Sequence, residues 1–355
     1  MTVDAHEPRD TGDAAPAPPR LSERLGDVRE PAVPRHPEVS TWRAAARDDL
    51  EAIVELTRAC DRVDHPSWFT PRDEIEEVFD ASWIDPAWDT LLGFDGDGRL
   101  VAIGGIIVHP SRDVHAHVYL TGRVHPEVRG RGLGREVLRW EEERALQALA
   151  ELDLAVPAAV FAYAEEGDVA LQHLAERRGF APERWFTTMV RDLAVEIPTV
   201  EASGDAVICA YEPALKEATR VARNDAFRDH WGSLETPPER WDHFAEGPFL
   251  RPDLSRVATE GDRVVALALG SVNEEDWAAQ GYTSVYIDLI GVTRDRRGRR
   301  LAPAVITALL QAARDAGLDK AVLDVDTESP TGANSLYGAL GFAPTERVVA
   351  LVRRY

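Results

Sequence analysis

Cysteine is almost absent from this chain: Cys60 and Cys209 are the only two in 355 residues, and neither belongs to a Cys-x-x-Cys pair. This scarcity argues against a disulfide framework and against a cysteine zinc site. No His-Glu-x-x-His spacing occurs and the histidines are scattered, so we expect no bound metal. The sequence also lacks a secretory signal and any run of about 18 apolar residues, which predicts a cytoplasmic protein without a membrane span.

Basic residues are in deficit, because Lys and Arg total 40 against 62 Asp and Glu, for a formal net charge of -22. Binding to nucleic acid needs clustered positive charge, so this balance argues against a nucleic-acid partner. An acidic surface keeps a protein soluble and attracts cationic small molecules such as amines. An acidic composition without any functional meaning is equally compatible with the charge.

The first 37 residues are rich in proline, alanine and charge, and they contain little that a core could bury. We therefore expect residues 1–37 to form a disordered tail. A helix, a hairpin, a strand, a glycine-rich turn and a long helix are then predicted in that order from the apolar spacing. The same order returns after a break near residues 196–204, which predicts one domain at residues 38–195 and a second at residues 204–355.

Two sequence markers indicate that the chain contains an internal repeat. Residues 124–134 (VHPEVRGRGLG) align with residues 292–302 (VTRDRRGRRLA), at an offset of 168 residues. Residues 178–182 (RGFAP) align with residues 340–344 (LGFAP), at an offset of 162 residues. Two markers in the same order indicate a duplicated domain rather than a short-period solenoid.

The glycine-rich turn at residues 129–134 lies between a predicted strand and a predicted helix. A helix start presents unpaired backbone N–H groups and the positive end of the helix dipole, and glycine allows a ligand to approach the backbone closely. The turn therefore predicts an anion cradle suited to a pyrophosphate. It matches neither the dinucleotide fingerprint nor a P-loop, and a surface turn with solvated arginines is the alternative.

The pattern Val-x-Pro-x-x-Arg-Gly-x-Gly-Leu-Gly, with a later Tyr-x-x-x-Gly-Phe, resembles the GNAT superfamily of N-acetyltransferases. The resemblance covers nearly the whole chain from about residue 39, as two copies. It implies an α/β (α+β) fold of two tandem domains, each a mixed central β-sheet flanked by helices, with acetyl-CoA as the acyl donor. By this resemblance the donor is held by Val124, Arg129, Gly130, Arg131, Gly132, Leu133 and Gly134 in the first copy, and by Val292, Arg297, Gly298, Arg299, Arg300, Leu301 and Ala302 in the second.

The second turn departs from the family pattern, because Arg300 replaces the middle glycine. A side chain at this position would crowd a close approach of the backbone to a ligand. Alternatively, the guanidinium could point outward and pair with a phosphate. Both interpretations of Arg300 stay open at this point.

Acetyl transfer from a thioester to an amine is helped by an acid that protonates the departing thiolate. By resemblance Tyr337 takes this role, since a phenol with a pKa of about 10 stays protonated at neutral pH, and Asn334 holds the pantetheine arm. The first copy has Ala175 and Gln172 at these places. The second copy is therefore expected to be the catalytic one, although Tyr337 could instead be a packing residue.

A base is expected on the strand that precedes the second turn, where Tyr286, Asp288 and Ile290 alternate onto one face. Asp288 is the candidate, and a carboxylate satisfied by a neighbouring arginine is the equally compatible alternative. The strand of the first copy, residues 117–124, contains no carboxylate. The acceptor-side residues implied by resemblance to two-domain members of the family are Asp229, His230 and Trp231, with Tyr286 beside them, although Trp231 could instead belong to the core.

The function predicted from these features is acetyl-CoA-dependent acetyl transfer to a primary amine of a small molecule, by a monomer or homodimer. One alternative is a catalytically silent acyl-CoA-binding sensor, motivated by the missing acid in the first copy and by Arg300 in the second. A further alternative is an aminoglycoside-type resistance acetyltransferase, which only the acidic charge favours.

Overall fold

The computed structural model describes residues 18–328 and 332–355. Helices in this part of the chain are α1 (Leu21–Leu25), α2 (Leu50–Asp64), α3 (Arg72–Asp80), α4 (Pro86–Asp89), α5 (Leu133–Leu152), α6 (Val169–Arg177), α7 (Lys216–Phe227), α8 (Pro238–Ala245), α9 (Glu275–Gln280), α10 (Leu301–Asp315) and α11 (Ala333–Ala339). Its strands are β1 (Thr41–Arg43), β2 (Thr90–Phe94), β3 (Leu100–Val108), β4 (Ala116–Leu120), β5 (Arg123–Val124), β6 (Ala158–Glu165), β7 (Ala181–Asp192), β8 (Val207–Ala210), β9 (Arg256–Glu260), β10 (Arg263–Ser271), β11 (Ser284–Val292), β12 (Lys320–Asp326) and β13 (Ala343–Arg354).

One continuous mixed sheet connects both halves of the chain. Its strand order is β1-β2-β3-β4-β6-β13-β7-β12-β11-β10-β9-β8, and β5 pairs with β3 beside this path. The contacts between β4 and β6 and between β11 and β12 are parallel, whereas the remaining pairs are antiparallel. The expected fold class, α/β (α+β) with a mixed sheet and flanking helices in two tandem copies, is confirmed.

The last strand of each half lies in the sheet of the other half. Strand β7 pairs with β12 from Asp192↔Lys320 to Phe186↔Asp326, and β13 pairs with β6 of the first half. In the middle of the sheet β7 and β13 pair with each other, through Val190↔Ala343 and Ala181↔Val352. These two pairs correspond to each other in the repeat, so a pseudo-twofold axis passes between the strands. The segments 38–195 and 204–355 are therefore halves that complete each other's sheet, rather than separate sheets.

The two faces of the sheet carry different helices. Side chains alternate between the faces of a strand, and in β6 Val160, Ala162 and Ala164 pack with α5 while Ala159 and Phe161 pack on the opposite face. Helix α10 occupies the α5 face in the second half, and α7 and α8 occupy the other. The central strands between α3 and α8 are left free to form the floor of a cavity.

The prediction of a disordered tail at residues 1–37 is wrong for residues 18–37, the part of it that the structure describes. Leu21 on α1 is fully buried against the α5 side of the first half. Arg24 donates to the carbonyl of Tyr355 at 2.8 Å, and His36 contacts the carbonyl of Arg131 at 3.0 Å. The burial of Leu21 and these backbone contacts order a segment whose composition is typical of disorder. Residues 1–17 lie outside the described residues.

No helix in the described ranges combines the length and the apolar character needed to cross a membrane.

Candidate active site

Both glycine-rich turns adopt the same backbone conformation before a helix. Gly130 and Gly132 have φ angles of 76° and 92°, and Gly298 and Arg300 follow with 78° and 58°. Arg300 thus occupies the left-handed region that glycine occupies in the first turn, which costs about 1 kcal/mol for a residue with a Cβ. Its side chain is exposed. The substitution therefore strains the turn without changing its path.

The backbone amides of both turns are available to a ligand. Among the described residues, no acceptor receives a hydrogen bond from the amides of residues 130–134 or from those of residues 298–302. The amides lie at the N-termini of α5 and α10, where the helix dipole favours an anion. Each turn can therefore cradle a pyrophosphate through its backbone.

The leading arginine of each turn is already held by a carboxylate. Arg129 donates from Nη2 to Asp64 at 2.8 Å, and Arg297 donates from Nη1 to Asp229 at 3.1 Å. Arg297 also donates to the carbonyl of Ala226 at 2.9 Å. Both arginines thus fix their turn to the end of the preceding helix, α2 or α7, which differs from the direct phosphate contact expected from the sequence.

The parallel strands beside each turn separate from one another. Strands β11 and β12 pair only from Ser284↔Lys320 to Tyr286↔Val322, although both strands continue beyond these pairs. In the first half β4 and β6 pair from Ala116↔Ala158 to Tyr119↔Phe161. Each divergence opens a slot into which a narrow acyl-carrying arm could enter from the side of the turn.

A buried carboxylate lies at the point where β4 and β6 of the first half diverge, which we call the strand break. Glu141 of α5 accepts from the amide of Gly105 at 3.0 Å, and the amides of Gly122 and Thr121 also point to it. Burial raises the pKa of Glu141 to about 8, while these amides act in the opposite direction. The repeat places Leu309, an apolar residue, at the corresponding position of α10. Sequence reasoning missed Glu141, although a carboxylate aligned with a core leucine was a usable signal.

Aromatic rings cover the same region of the first half on the opposite face. Tyr119 stacks on Phe161 with 5.2 Å between ring centroids, and Trp231 contacts Phe161 edge-on at 5.9 Å. Ala175, which stands in the place of Tyr337, is fully buried. The first half therefore keeps its turn, but Glu141 accepts from amides beside the end of β4, and alanine rather than a phenol stands at the position of Tyr337.

In the second half Asp288 lies where β11 and β12 diverge. Its Oδ2 atom is buried and has no hydrogen-bond partner within the described ranges. Burial raises the pKa of Asp288 to about 7, and hydrogen bonding from Ser271 acts in the opposite direction. On the same face, the Tyr286 hydroxyl donates to Asp324 at 2.9 Å. The alternative interpretation, in which a neighbouring arginine pairs with Asp288, is wrong for the described residues.

Tyr337 of α11 is buried in the core cluster of α10, on the other face of the sheet from Asp288. Burial raises its pKa to about 12, which keeps the phenol protonated at neutral pH. The side chain of Asn334 donates to the carbonyls of Asp326 and Thr327 at 3.0 and 3.2 Å. Gln172 makes the corresponding bonds in the first half. The amide nitrogen of Asn334 is thus bound at the end of β12. Only its side-chain oxygen could make the expected contact with a pantetheine arm.

A cavity of about 1380 Å³ lies on the face of the sheet that carries Asp288. Its floor is formed by the central strands and its roof by α3 and α8. The roof closes where Ser82 donates to Glu239 at 2.7 Å and where the rings of Trp83 and His243 meet edge-on at 5.7 Å. Because both halves contribute its walls through long-range contacts, sequence reasoning could not find this cavity.

Of the expected acceptor-side residues, only Tyr286 lines the cavity. Asp229 pairs with Arg294 and Arg297 at the second turn. His230 packs beside Phe227, with 4.7 Å between their ring centroids, and Trp231 belongs to the aromatic cluster over the first half. These three residues are therefore placed around the cavity but do not form its lining.

The charged residues that line the cavity are mainly acidic. Glu76 and Asp80 on α3 pair with Arg47, and Asp242 and Glu246 pair with Lys216. No Lys or Arg within the described ranges comes within 4.0 Å of the remaining carboxylates. These are Asp73, Glu74, Glu77, Glu165, Asp276, Asp288, Asp324 and Glu346. Cationic residues, among them Arg223 and Arg240, are contributed by α7 and α8.

The two halves are pseudo-symmetric, and each has an anion-binding turn at a helix N-terminus beside diverging parallel strands. Together these features define a tandem acyl-CoA-binding transferase fold. The chain matches the Acetyltransferase (GNAT) family over residues 50–180 and again over residues 217–342. It belongs to this family and is an acetyltransferase with two tandem copies of the family's domain. Acetyltransferases of this family use acetyl-CoA as the donor.

Similar proteins support the same assignment. The chain is 26% identical to the mycothiol acetyltransferase of a Nocardioides species over 315 residues, which cover 84% of this chain and 94% of the relative. It is 30% identical to the mycothiol acetyltransferase of Thermobispora bispora over 254 residues, 71% of this chain and 79% of the relative. A solved GCN5-related N-acetyltransferase from Sphaerobacter thermophilus superposes with a TM-score of 0.64 at 28% identity, over 88% of this chain and 95% of that one.

Proposed function

We propose that the second half transfers an acetyl group from acetyl-CoA to a primary amine of a small molecule held in the cavity. The observation that carries this proposal is the position of Asp288. Asp288 lines the cavity at the divergence of β11 and β12, where the second turn would deliver a thioester, and its Oδ2 atom is buried without a hydrogen-bond partner in the described part of the chain. A carboxylate with a pKa near neutrality is suited to accept a proton from an ammonium group.

The donor would be held by the backbone amides of residues 298–302 and by the dipole of α10. The arm that carries the thioester would pass between β11 and β12, so its carbonyl would be presented to the cavity. Arg297 would act here as a positioning residue, because its bonds to Asp229 and Ala226 fix the turn. Asn334 would keep the end of β12 in place.

The acceptor amine would enter the cavity as an ammonium ion. Asp288 would remove one proton, and the neutral nitrogen would attack the thioester carbonyl to form the new N–C bond. As the C–S bond breaks, Tyr337 would donate its proton to the leaving thiolate, which departs as the free thiol. The attacking nitrogen loses one of its two remaining protons to solvent and keeps the other as the amide N–H; Asp288 then releases the proton it took, and the phenol is reprotonated. The raised pKa of Tyr337 supports its role as an acid, because the phenol is fully protonated at neutral pH.

The first half would serve as a non-catalytic partner. Its turn keeps the amides needed for an anion, but Glu141 occupies the amides of its strand break and Ala175 supplies no proton. Its structural contribution would be β7 and the α3 roof of the cavity.

The test is the release of free thiol from acetyl-CoA by the purified full chain against a panel of amines. The panel includes the amine precursor of mycothiol, which the names of the relatives suggest, together with amino acids, alkyl amines, polyamines and aminoglycosides. We expect amine-dependent turnover that Asp288→Asn strongly reduces and that Glu201→Gln, a change at an exposed site, leaves intact. Acetyl-CoA binding by calorimetry with no turnover on any amine would contradict the proposal and favour the silent sensor.

A further inference from the structure

Four carboxylates form a row across the floor of the cavity, each on a different strand. Asp324 of β12 lies opposite Thr188 of β7, and Thr188 lies opposite Glu346 of β13, so these side chains are level across three strands. Asp288 is two residues beyond Tyr286 on β11, on the same face. Glu165 of β6 extends the row into the first half, beside Val348. We call Asp288, Asp324, Glu346 and Glu165 the carboxylate row.

The carboxylate row is much longer than a single ammonium group. Neighbouring strands lie about 4.8 Å apart, and β11, β12, β7, β13 and β6 are consecutive in the sheet. Four spacings separate its two ends, and because β11 and β12 diverge at Asp288 the ends are at least about 19 Å apart along the floor. A ligand that contacts the whole row must be extended and must carry charge at several places.

Within residues 18–328 and 332–355, no Lys or Arg nitrogen lies within 4.0 Å of any carboxylate of the row. Thr188 donates to Asp324 at 2.6 Å and Ser67 donates to Glu346 at 3.1 Å, but both of these donors are neutral. Burial raises the pKa of Glu165 to about 7, and Glu346 and Asp324 add to the effect while His65 opposes it. Two further unpaired carboxylates, Glu74 and Glu77, face the cavity from one turn of α3 in the roof.

Separated ammonium groups fit this arrangement better than a single metal ion. No three His, Cys, Asp or Glu side chains within residues 18–328 and 332–355 converge as the ligands of a metal would. The unpartnered Oδ2 atom of Asp288 at one end of the row is buried and calls for a hydrogen-bond donor. An ammonium group donates to a carboxylate with charge assistance, and several on one chain can do so in sequence.

We propose that the acceptor is a linear polyamine, with its reacting terminal amine at Asp288 and its further ammonium groups along Asp324, Glu346 and Glu165. This inference rests on the proposed acetyl transfer and specifies its substrate class. The first half then contributes directly to acceptor binding, because Glu165 and the roof carboxylates belong to it. Arg223 and Arg240 lie on other walls of the cavity and leave the row itself uniformly acidic.

The first measurement compares kcat/KM for spermine, spermidine and n-butylamine, with kanamycin as a compact polycation. We expect kcat/KM for spermine to exceed that for butylamine by roughly a hundredfold, since each charge-assisted contact to a further ammonium group contributes roughly tenfold. The preference should weaken as salt is raised, because the contacts are electrostatic. Kanamycin should be poorer than spermine, because a compact molecule cannot follow the row.

The second measurement uses Glu165→Gln combined with Glu346→Gln, both distant from the reacting amine. We expect KM for spermine to rise at least about tenfold more than KM for butylamine. Glu201→Gln removes one exposed carboxylate from the surface and should leave the ratio of the two constants unchanged. Near-ultraviolet circular dichroism confirms that the double variant is folded, and calorimetric binding of spermine provides a readout independent of turnover.

These measurements separate the failure of this inference from the failure of the proposed function. Turnover of butylamine or the mycothiol precursor without any preference for spermine would overturn the polyamine assignment and keep the acetyl transfer. Binding of spermine that depends on Glu165 and Glu346, with no turnover on any amine, would support the carboxylate row and overturn the transfer. Neither binding nor turnover of spermine would overturn the inference altogether.

Discussion

The two halves of this chain share a fold and differ in which parts of the acetyl-transfer site they keep. The first half has glycine at position 132 of its turn, but it places Glu141 at its strand break and Ala175 where a phenol would stand. The second half has the strained Arg300 in its turn but retains Tyr337. The comparison teaches that the anion-binding turn and the transfer machinery are separable, because each depends on different local contacts.

What both halves keep is equally informative. Asp64, the last residue of α2, holds Arg129, and Asp229, just after α7, holds Arg297, so the arginine of each turn makes an equivalent ion pair. The first half keeps this ion pair although it has alanine at the position of Tyr337. The pair is therefore explained by its structural effect on the turn. The arginines therefore act on the donor through the position of the backbone.

The largest effect is expected from Tyr337→Phe, which removes the proposed acid from the second half. We expect kcat to fall about 10²–10³-fold, within the range of general acid catalysis, with little change in acetyl-CoA affinity. Tyr163→Phe, an aromatic change in the first half, is the matched control and should retain activity. Steady-state kinetics and acetyl-CoA titration check both, and an effect of Tyr337→Phe below about twofold would assign the residue to packing alone.

The next effect is expected from Asp288→Asn, for which kcat/KM should fall about 10²-fold. In the parent chain the base must be ionised, and burial raises the pKa of Asp288 to about 7, so kcat/KM should rise with pH through about 7 and then level off. The variant should lack this step. A pH profile of kcat/KM measures it, and an unchanged step in Asp288→Asn would assign the ionisation to another group.

The same ionisation has a consequence for folding stability. The unfolded chain ionises Asp288 near the ordinary pKa of about 4, whereas the folded chain does so near 7. The favourable contribution of Asp288 is present below about pH 4 and is lost as the pH rises to about 7. Denaturant titrations at several pH values should show that Asp288→Asn removes this part of the loss.

A smaller effect, on stability alone, is expected from Glu141→Leu, which gives the first half the residue of the second. The amides of Gly105 and Gly122 would lose Glu141 as an acceptor, whereas the amide of Thr121 keeps its bond to the carbonyl of Gly105; an unsatisfied buried polar group costs about 1–3 kcal/mol. Urea unfolding should show the loss, while kcat per folded molecule should be retained. A loss of turnover in the folded variant would show that the first half takes part in the chemistry.

The smallest effects are expected at the middle residue of each turn, and they should have opposite signs. Arg300→Gly relieves a left-handed conformation and should stabilise the chain by about 1 kcal/mol, whereas Gly132→Ala introduces the same strain and should destabilise it similarly. Urea midpoints measure both. Equal signs would mean that the surroundings of the two turns, rather than backbone conformation, control their stability.

Much of the candidate site could be predicted from sequence, because its signals are local. The repeat and the two turns follow from glycine spacing between a strand and a helix, whereas the positive φ of Arg300 does not. Alternation along β11 placed Tyr286 and Asp288 on one face, and the structure has both lining the cavity. Ile290, expected on the same face, packs against the α10 cluster instead, because the pairing of β10 with β11 is irregular at Asp288. Asp229 was misplaced among the acceptor-side residues, because nothing in the sequence pairs it with Arg294 and Arg297 some 65 and 68 residues later.

The sequence by itself determined the duplication, the fold class, the family and the two turns, since periodicity and glycine placement act over a few residues. Only the tertiary structure decided the exchange of β7 and β13, the burial of Glu141 at the first strand break and the carboxylate row. These features depend on pairings between residues more than a hundred positions apart, as for Glu165 and Val348, or on which amides a helix side chain meets. Such pairings are selected by the burial and packing of the whole sheet, which no local pattern encodes.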